Sequence, residues 1–285
     1  MRKNKSRLFR IIVLVCVMFI SSCGFWKGYE HNPNDISVHF IDVGQGDCTL
    51  IQLPENKVML IDAGENGYED KIFEYIDNLG IEKIDYLVAT HPHSDHIGGM
   101  EEIIREYDIG EIYMPNAVTS TKTYENVLDE IAGKNMKINS AYAGKTIFDY
   151  SGVRAEIISP QKGAEFDDLN NYSVVIRLVY GEKSFLLMGD AEKEIEEYIL
   201  KNHTDLKSDV IKVGHHGSST SSKAEFIESV KPEYAVISCG KGNEYGHPHK
   251  ETSKILKETG AEVLRTDKLG TIILRTDGKT VSVEK

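Results

Sequence analysis

The chain has 285 residues, of which 40% are hydrophobic and 27% are charged, a composition typical of a globular protein that can bury a large core. Its formal net charge of −12 argues against a broad electrostatic grip on duplex DNA. The charge does not exclude phosphodiester chemistry, because bound metal ions supply local positive charge.

The first 22 residues differ from the rest of the chain. Five basic residues lie within the first ten positions, and an apolar segment runs from Ile11 to Ile20. Small residues then precede Cys23, a pattern that predicts a secretory signal peptide too short for a comfortable transmembrane helix. Removing residues 1–22 moves the formal charge from −12 to −17, because they hold five basic residues and no acidic one.

The sequence Ile20-Ser21-Ser22-Cys23 resembles the lipobox of bacterial lipoproteins. The resemblance implies cleavage before Cys23, lipidation of Cys23, and a protein tethered to the outer face of the cytoplasmic membrane. An ordinary cleaved signal and an uncleaved anchor are the alternatives. We therefore expect a signal peptide at 1–22, a polar tether at 23–35 and a folded domain at 36–285, in which nothing after residue 22 spans a bilayer.

Two cysteines remain in the expected domain. Cys48 and Cys239 each lie in an apolar, strand-like run. The sequence allows either two buried free thiols or a single disulfide between them. Their spacing is not that of a metal site.

From residue 36 onward the hydrophobic pattern passes repeatedly between strand-like and helix-like segments. In the first half, strands are predicted at Ile36–Val43, Cys48–Leu53, Val58–Asp62, Ile84–Ala89, Glu111–Met114 and Lys137–Asn139, and helices at Glu69–Leu79, Gly99–Glu106 and Ser120–Ala132. In the second half, strands are predicted at Lys145–Phe148, Val153–Ser159, Tyr172–Val179, Ser184–Met188, Asp209–Val213, Tyr234–Ser238, Glu262–Arg265, Gly270–Arg275 and Thr280–Val283, and helices at Glu192–Lys201, Ser222–Val230 and Lys250–Thr259.

Both halves begin with antiparallel strands and pass into βα units, and no break in composition separates them. Two mixed sheets packed face to face, with helices outside, would bury so many apolar strands. The predicted fold class is therefore α/β in a single domain.

A dense group of metal-binding side chains follows the predicted strand Ile84–Ala89. His91, His93, Asp95 and His96 lie within six residues, and Gly98-Gly99 leads into a helix. Imidazole and carboxylate are the usual ligands of a catalytic divalent metal, and a turn leaving a strand can direct them into one cavity. The density disfavours a solvated loop that holds several histidines by chance.

Further candidates follow other predicted strands, at the ends where α/β folds gather ligand sites. Asp190 follows Gly189 after one strand, His215 and His216 follow another, and His247 precedes Pro248. These candidates exceed the four ligands of a tetrahedral zinc, so we expect two ions. His91 and His93 would bind one ion, Asp95 and His96 the other, and Asp190 both. A water between ions about 3.5–4 Å apart would become a hydroxide nucleophile.

His215 and His216 leave two assignments open. We assign His215 to the metal because it leaves the strand first, and His216 then lines the substrate pocket; the reverse stays open. His247 completes the second ion or stabilises a developing oxyanion, with a plain surface-loop role as its alternative. The expected catalytic residues are Asp95, His216 and His247.

The motif His-x-His-x-Asp-His with two glycines, together with Asp190 and His215 after strands, resembles the metallo-β-lactamase superfamily. More narrowly, residues 36–285 resemble the extracellular hydrolase domain of the ComEC family of competence DNA-uptake proteins. The resemblance implies an αββα sandwich, a metal-dependent hydrolase with two zinc or manganese ions, and a phosphodiester substrate such as nucleic acid. It is carried by Asp42–Asp47, Thr90–His96, Asn170–Ser173, Met188–Asp190, His215–Ser218 and Tyr245–Pro248.

The resemblance also implies supporting residues. Asp62 resembles the aspartate that orients a ligand histidine, and its alternative is a simple turn aspartate. Asp47 has the same expected role and the same alternative. Ser218 and its neighbours could contact a phosphate, although capping of the next helix is the plainer use.

Two departures from the family pattern matter. Most superfamily members place one more histidine on the first ion, where this chain has Asn171, Ser173 and no histidine. The first ion would then bind more weakly, have more water ligands, or be manganese rather than zinc. The family's many-helix membrane channel also has no counterpart here, so a DNA-import role cannot be carried over.

The leading hypothesis is a tethered phosphodiesterase or nuclease. A phosphocholine or teichoic-acid esterase is the first alternative, weakened by the absence of aromatic-rich choline-binding repeats. A β-lactam or lactone hydrolase is disfavoured by the missing histidine. A non-enzymatic accessory lipoprotein for DNA uptake is the alternative of another class.

Overall fold

Strands and helices alternate in the computed structural model, which describes residues 31–203 and 205–284. The expected signal peptide, Cys23 and most of the tether lie outside the described residues. The strands are β1 (Ile36–Phe40), β2 (Thr49–Gln52), β3 (Val58–Ile61), β4 (Lys83–Val88), β5 (Asp108–Met114), β6 (Ile138–Ser140), β7 (Thr146–Tyr150), β8 (Val153–Ser159), β9 (Val175–Tyr180), β10 (Lys183–Leu187), β11 (Val210–Lys212), β12 (Tyr234–Ile237), β13 (Glu262–Arg265), β14 (Ile272–Thr276) and β15 (Val281–Glu284). The helices are α1 (Glu69–Asn78), α2 (Ser94–Ile97), α3 (Met100–Glu106), α4 (Lys122–Gly133), α5 (Lys193–Asn202), α6 (Ala224–Val230), α7 (Lys250–Glu258) and α8 (Thr266–Leu269).

The strands form two mixed sheets. One has eight strands in the order β15-β14-β1-β2-β3-β4-β5-β6, and the other has seven in the order β13-β12-β11-β10-β9-β8-β7. Strands β3 to β6 run parallel to one another, as do β10 to β13. The prediction of two mixed sheets is confirmed.

Three apolar clusters define the layers. Phe40 of β1 and Phe185 of β10 are fully buried in one cluster, which fills the space between the sheets. Ile72 of α1 belongs to a second cluster on the outer face of the eight-stranded sheet, and Ile195 of α5 to a third on the outer face of the other. The order is helices, sheet, sheet, helices, as the sequence predicts.

Several element boundaries differ from the sequence prediction. The strand expected from Tyr172 begins only at Val175, because Leu169–Tyr172 form a 3-10 turn in which the Asp168 side chain accepts the N–H of Asn170. Helices α2 and α8 span four residues each, too short for a periodic pattern to reveal them.

The helix expected from Ser222 begins at Ala224. Its first N–H groups are not capped by the preceding serine hydroxyls. Instead the buried carboxylate of Glu196 accepts the N–H groups of Ser222 and Lys223. A carboxylate from α5 therefore fixes the backbone that leads into α6, and among the described residues no side chain caps this helix.

Cys48 and Cys239 are both buried free thiols, which excludes the disulfide between them. Residues Pro33–Lys285 form one compact unit. Among the helices of the described residues, none has the length and apolar character needed to cross a bilayer.

Candidate metal centre

The candidate ligands come together where parallel strands end. β4 precedes the segment His91–His96, β10 precedes Asp190, and β11 precedes His215 and His216. β10 and β11 are parallel neighbours in one sheet and end at the same edge, and the segment after β4 of the other sheet meets them there.

Four side chains form the centre of this region. The ligand atoms of Asp95, His96, Asp190 and His216 all lie within 4.8 Å of one another. Asp190 Oδ2 is 3.2 Å from Nε2 of His96 and 3.2 Å from Nε2 of His216. Asp95 Oδ2 is 3.2 Å from His216 Nε2 and 3.9 Å from His96 Nε2. We refer to these four residues as the four-ligand group.

His96 is oriented by a buried carboxylate. Its Nδ1 lies 2.7 Å from Asp62 Oδ2, which leaves Nε2 directed at Asp190. Asp62 is fixed in turn by the N–H of Thr90 at 2.8 Å and by the Thr90 hydroxyl at 2.6 Å. Carboxylates of this kind set the tautomer and ring orientation of metal-binding histidines.

His216 is oriented by a carbonyl. Its Nδ1 donates to the Ser238 carbonyl at 3.0 Å, and Asp47 Oδ1 lies 3.4 Å from the same nitrogen. His215 and His216 both have positive φ values, 47° and 50°, within the 3-10 turn Gly214–Gly217. This left-handed turn directs the second histidine, His216, into the group.

The four-ligand group fits a divalent ion. His96 Nε2 and Asp190 Oδ1 are buried and make no hydrogen bond among the described residues. With Nδ1 of each imidazole directed at an oxygen, both Nε2 atoms present a lone pair to one point. Ligands about 2.1 Å from a tetrahedral ion lie about 3.4 Å apart, close to the separations observed.

A buried lysine that the sequence reasoning missed supports the group. Lys212, the last residue of β11, is 2% exposed, and its Nζ forms an ion pair with Asp47 Oδ2. Burial lowers the pKa of Lys212, but the carboxylates of Asp47 and Asp190 outweigh it and raise the pKa above its usual value. The sequence feature that could have predicted this buried lysine is its position inside the apolar run Val210–Val213.

The charges of the group are strongly coupled. Burial would raise the pKa of Asp190, yet His216 and His96 hold it well below its usual value. Burial would likewise lower the pKa of both imidazoles, whereas Asp190 raises it well above the usual value. In the ion-free protein, the positive charges of the protonated imidazoles therefore balance the negative charges of the carboxylates.

His91 and His93 lie beside the group but outside it. His91 Nε2 is 2.9 Å from His93 Nδ1, and the His91 and His96 rings are 4.1 Å apart. His91 Nδ1 is near two hydroxyls, Thr90 Oγ1 at 3.1 Å and Ser173 Oγ at 3.4 Å. Burial and His96 lower the pKa of His91 well below its usual value.

His215, whose side chain is 23% exposed, and His247, which is 9% exposed, lie beside each other next to the group. His215 Nε2 is 3.9 Å from Asp190 Oδ2, whereas its Nδ1 contacts Glu192 at 3.1 Å and Thr220 at 3.0 Å. The His247 ring lies 5.5 Å from that of His215, and its Nδ1 makes no hydrogen bond among the described residues. Burial, followed by nearby imidazoles, lowers the pKa of His247 to about 4.

The remaining candidates have distinct surroundings. Ser173 Oγ accepts the N–H of Asp190 at 3.0 Å. Asn171 donates to Glu194 and accepts the N–H of Glu192, so it braces the loop after Asp190. Ser218 is 3% exposed and bonds within its own loop, where its hydroxyl accepts from Thr220.

The Gly-rich turn before Asp47 owes its composition to a close approach. Gly46 has φ of 140°, and a Cβ there would lie 2.4 Å from the Asp95 carbonyl oxygen. The Asp47 N–H donates to that same oxygen at 3.1 Å. Glycine therefore lets the turn bind the backbone of the histidine motif.

Comparison with protein families gives a match over most of the chain. The model described as "Metallo-beta-lactamase superfamily" matches residues 41–241.

Curated proteins with similar sequences are several times longer. ComE operon protein 3 of Bacillus subtilis (strain 168) is 31% identical over 255 residues, which cover 84% of this chain and 33% of that protein. Competence protein ComA of Neisseria gonorrhoeae is 31% identical over 84% of this chain and 32% of its own length. Recombination protein 2 of Haemophilus influenzae is 34% identical over 74% of this chain and 25% of its own. The chain thus spans a third or less of these relatives.

Solved structures share the fold. CmlA, a diiron beta-hydroxylase from Streptomyces venezuelae, gives a TM-score of 0.59 at 14% identity, covering 87% of this chain and 55% of CmlA. The metallo-beta-lactamase fold protein YhfI from Bacillus subtilis gives 0.54 at 13% identity, covering 85% of this chain and 100% of YhfI. At such identities the likeness supports the fold alone.

Proposed function

This chain belongs to the metallo-beta-lactamase superfamily, and we propose that it is a membrane-tethered, extracytoplasmic hydrolase that uses two divalent ions to cleave phosphodiester bonds of nucleic acid. The four-ligand group carries the proposal. Two imidazole nitrogens and two carboxylates, nearly all buried, converge with separations that suit one ion.

The ion that binds first would be held by the four-ligand group, Asp95, His96, Asp190 and His216. This assignment exchanges the two histidines of the sequence expectation, because Nδ1 of His215 contacts Glu192 and its Nε2 lies farther from Asp190 than that of His216. His215 then belongs to the substrate side of the centre.

A second ion would lie on the side of His91 and His93. Asp190 Oδ1, buried without a hydrogen bond among the described residues, offers the remaining carboxylate oxygen to it. Among the described residues no further histidine contacts that side, where the Ser173 hydroxyl lies 3.4 Å from His91 Nδ1. Zinc and manganese both suit imidazole and carboxylate ligands.

Divalent ions at this centre would acidify a water and neutralise charge on a phosphoryl group. The Asp95 side chain is 29% exposed, so it reaches the solvent side of the group. Burial would raise its pKa, but His96 and His216 lower it to about 2, which keeps Asp95 in the ionised form that a divalent ion binds.

His247 would bind the substrate. Its Nδ1 is a buried nitrogen without a hydrogen bond among the described residues, beside His215. A phosphoryl oxygen is a suitable partner, and a donor held there would stabilise the charge that develops in the transition state.

The choice of nucleic acid rests on the relatives. One is named as a ComE operon protein, one as a competence protein and one as a recombination protein, and each matches most of this chain. Because the chain spans a third or less of their length, their wider roles are not extended to it.

The tether rests on the sequence before residue 24, which lies outside the described residues. Palmitate labelling of cells that express the full chain should mark the protein, and Cys23→Ser should abolish the label. An unlabelled wild-type protein would contradict lipidation at Cys23.

Hydrolysis is tested with the purified protein loaded with manganese or zinc. We expect cleavage of single-stranded DNA, with loss of activity and of bound metal in Asp95→Ala and Asp190→Ala. The exposed Lys254→Gln is the matched control. DNA left intact with both metals, alongside turnover of a lactone, a β-lactam or a wall-polymer phosphodiester, would replace the substrate class.

A further inference from the structure

A pocket of about 640 Å³ lies apart from the candidate ligands. Its lining combines two lysines, two tyrosines and several amide side chains. None of the candidate metal ligands lines it. The residues that matter for its chemistry are Asn116, Asn139, Tyr142, Lys145, Lys162 and Tyr172.

The pocket adjoins the metal centre through the backbone. Tyr172, in its wall, directly precedes Ser173. The Ser173 hydroxyl lies 3.4 Å from His91 Nδ1 and accepts the N–H of Asp190 at 3.0 Å. The residue that follows the pocket wall in the chain, Ser173, therefore contacts the candidate ligands.

The pocket is positive in an otherwise acidic protein. Its lining includes Lys145 and Lys162 and no acidic side chain, whereas the chain carries a net charge of −12. Neither lysine forms an ion pair with any of the described residues; Lys145 donates to the Ser140 carbonyl at 3.2 Å. Glu111 borders the pocket, where it accepts from Asn139. Two lysines without a carboxylate partner would attract an anion.

Tyr142 gives the pocket an aromatic ring beside the two charges. Lys162 Nζ lies 5.0 Å from the centre of its ring and Lys145 Nζ lies 5.8 Å from it. Tyr142 is half-buried, so that part of its side chain is accessible. A tyrosine with neighbouring cations is the combination by which proteins hold bases and phosphates of single strands.

We propose that this Tyr142 pocket binds a nucleotide of a single-stranded nucleic acid, whose backbone continues to the metal centre. The inference rests on the proposed function and names its substrate. Lys145 and Lys162 would contact phosphates, Tyr142 would stack on a base, and Asn116 and Asn139 would bond its edge. A base-free wall polymer needs no aromatic surface, and a duplex keeps its bases stacked away from Tyr142.

The test measures binding by the metal-loaded full-length protein with a fluorescent, phosphorothioate-linked oligothymidylate, which resists cleavage. Tyr142→Ala should weaken binding about five- to hundredfold, and Tyr142→Phe should retain it, because the stacking ring remains. Lys145→Gln with Lys162→Gln should weaken binding and reduce the slope of log Kd against log salt by about 1.4.

Lys254→Gln is the matched charge control. Its side chain is 73% exposed on α7, which packs against β13 at the opposite edge of the seven-stranded sheet from β7. It should bind as the wild type does. Thermal unfolding and metal content of every variant verify that the fold and the metal centre are intact.

Two results overturn the proposal. One is that Tyr142→Ala and the double lysine variant bind the oligonucleotide as Lys254→Gln does. The other is that Tyr142→Ala weakens binding of poly(glycerol phosphate) as much as that of oligothymidylate, because stacking on a base would then not be involved. If the wild type shows the expected binding pattern but leaves unmodified DNA intact, the pocket is supported and the hydrolase is contradicted.

Discussion

The histidines on the two sides of the candidate metal centre are held by different chemistry. On one side, Asp62 fixes His96, and the Ser238 carbonyl and Asp47 fix His216. These partners are charged or strongly polar and nearly completely buried. Both imidazoles are therefore held with Nε2 directed toward Asp190.

On the other side, His91 has only hydroxyl neighbours at Nδ1, from Thr90 and Ser173, and its Nε2 contacts His93. Carboxylate partners raise the basicity of a metal-binding imidazole more than neutral hydroxyls do. We therefore expect the ion held by the four-ligand group to bind first and more tightly than the ion beside His91.

Loss of Asp190 should have the largest effect, because this carboxylate faces both sides. Asp190→Ala should lower metal affinity and hydrolysis by more than about a hundredfold, since loss of even an orienting partner costs 10–100-fold. Metal content by mass spectrometry and DNA cleavage measure the two effects. Retention of one ion at wild-type affinity would show that Asp190 serves a single side.

Lys212→Met should destabilise the ion-free protein by about 3–5 kcal/mol, because it removes the cation that forms an ion pair with the buried Asp47 carboxylate. Urea unfolding in the presence of chelator measures the loss. Lys212→Met combined with Asp47→Asn should recover most of it, since the carboxylate that Lys212 neutralised is then removed as well. A double variant as unstable as the single one would mean that Lys212 stabilises the protein through packing and not through its charge.

The partners that orient the histidines on the two sides can be compared by one substitution on each side. Asp62→Asn should weaken the tighter ion about 10–100-fold. Ser173→Ala removes a neutral hydroxyl, worth about 0.5–1.5 kcal/mol, and should weaken the second ion about 2–10-fold. Calorimetric titration of both variants provides the numbers. Equal effects would contradict the asymmetry.

The dependence on pH should be the smallest effect. Burial opposes protonation of His96 and His216, but Asp190 raises the pKa of each above the ordinary 6.5. In the ion-free protein, the stability from these protonated imidazoles is complete below pH 6.5 and is lost as pH rises through the raised pKa. Metal binding requires the neutral forms, so the gain in Tm on adding metal should grow with pH.

That gain should increase by about 3–10 °C between pH 6.5 and 8.5. Scanning fluorimetry with metal and with chelator measures it. His216→Gln should reduce the increase. A gain that is constant with pH would mean that protons do not compete with the ion at these imidazoles.

The layers and most elements follow from hydrophobic periodicity, because alternate residues of strands such as β1 face different layers. The density of the segment His91–His96 likewise predicted a cluster of imidazole and carboxylate groups after a strand, and the structure places such a cluster there. Where the prediction failed locally, as at Tyr172, a side-chain cap from Asp168 overrode the apolar pattern.

The choice between His215 and His216 could not be read from sequence. Both lie in one turn with positive φ, and the direction of each ring depends on partners far along the chain, Glu192 for one and Ser238 for the other. Lys212 was missed for the same reason, since its partner Asp47 lies on the other sheet's side of the centre.

The most direct test of the four-ligand group is metal titration of His216→Ala beside His215→Ala. The account predicts that His216→Ala weakens the tighter ion more than about a hundredfold. His215→Ala, which loses contacts to Glu192 and Thr220 but no member of the four-ligand group, should keep that affinity within about twofold. The reverse order would contradict the group and restore His215 as the ligand.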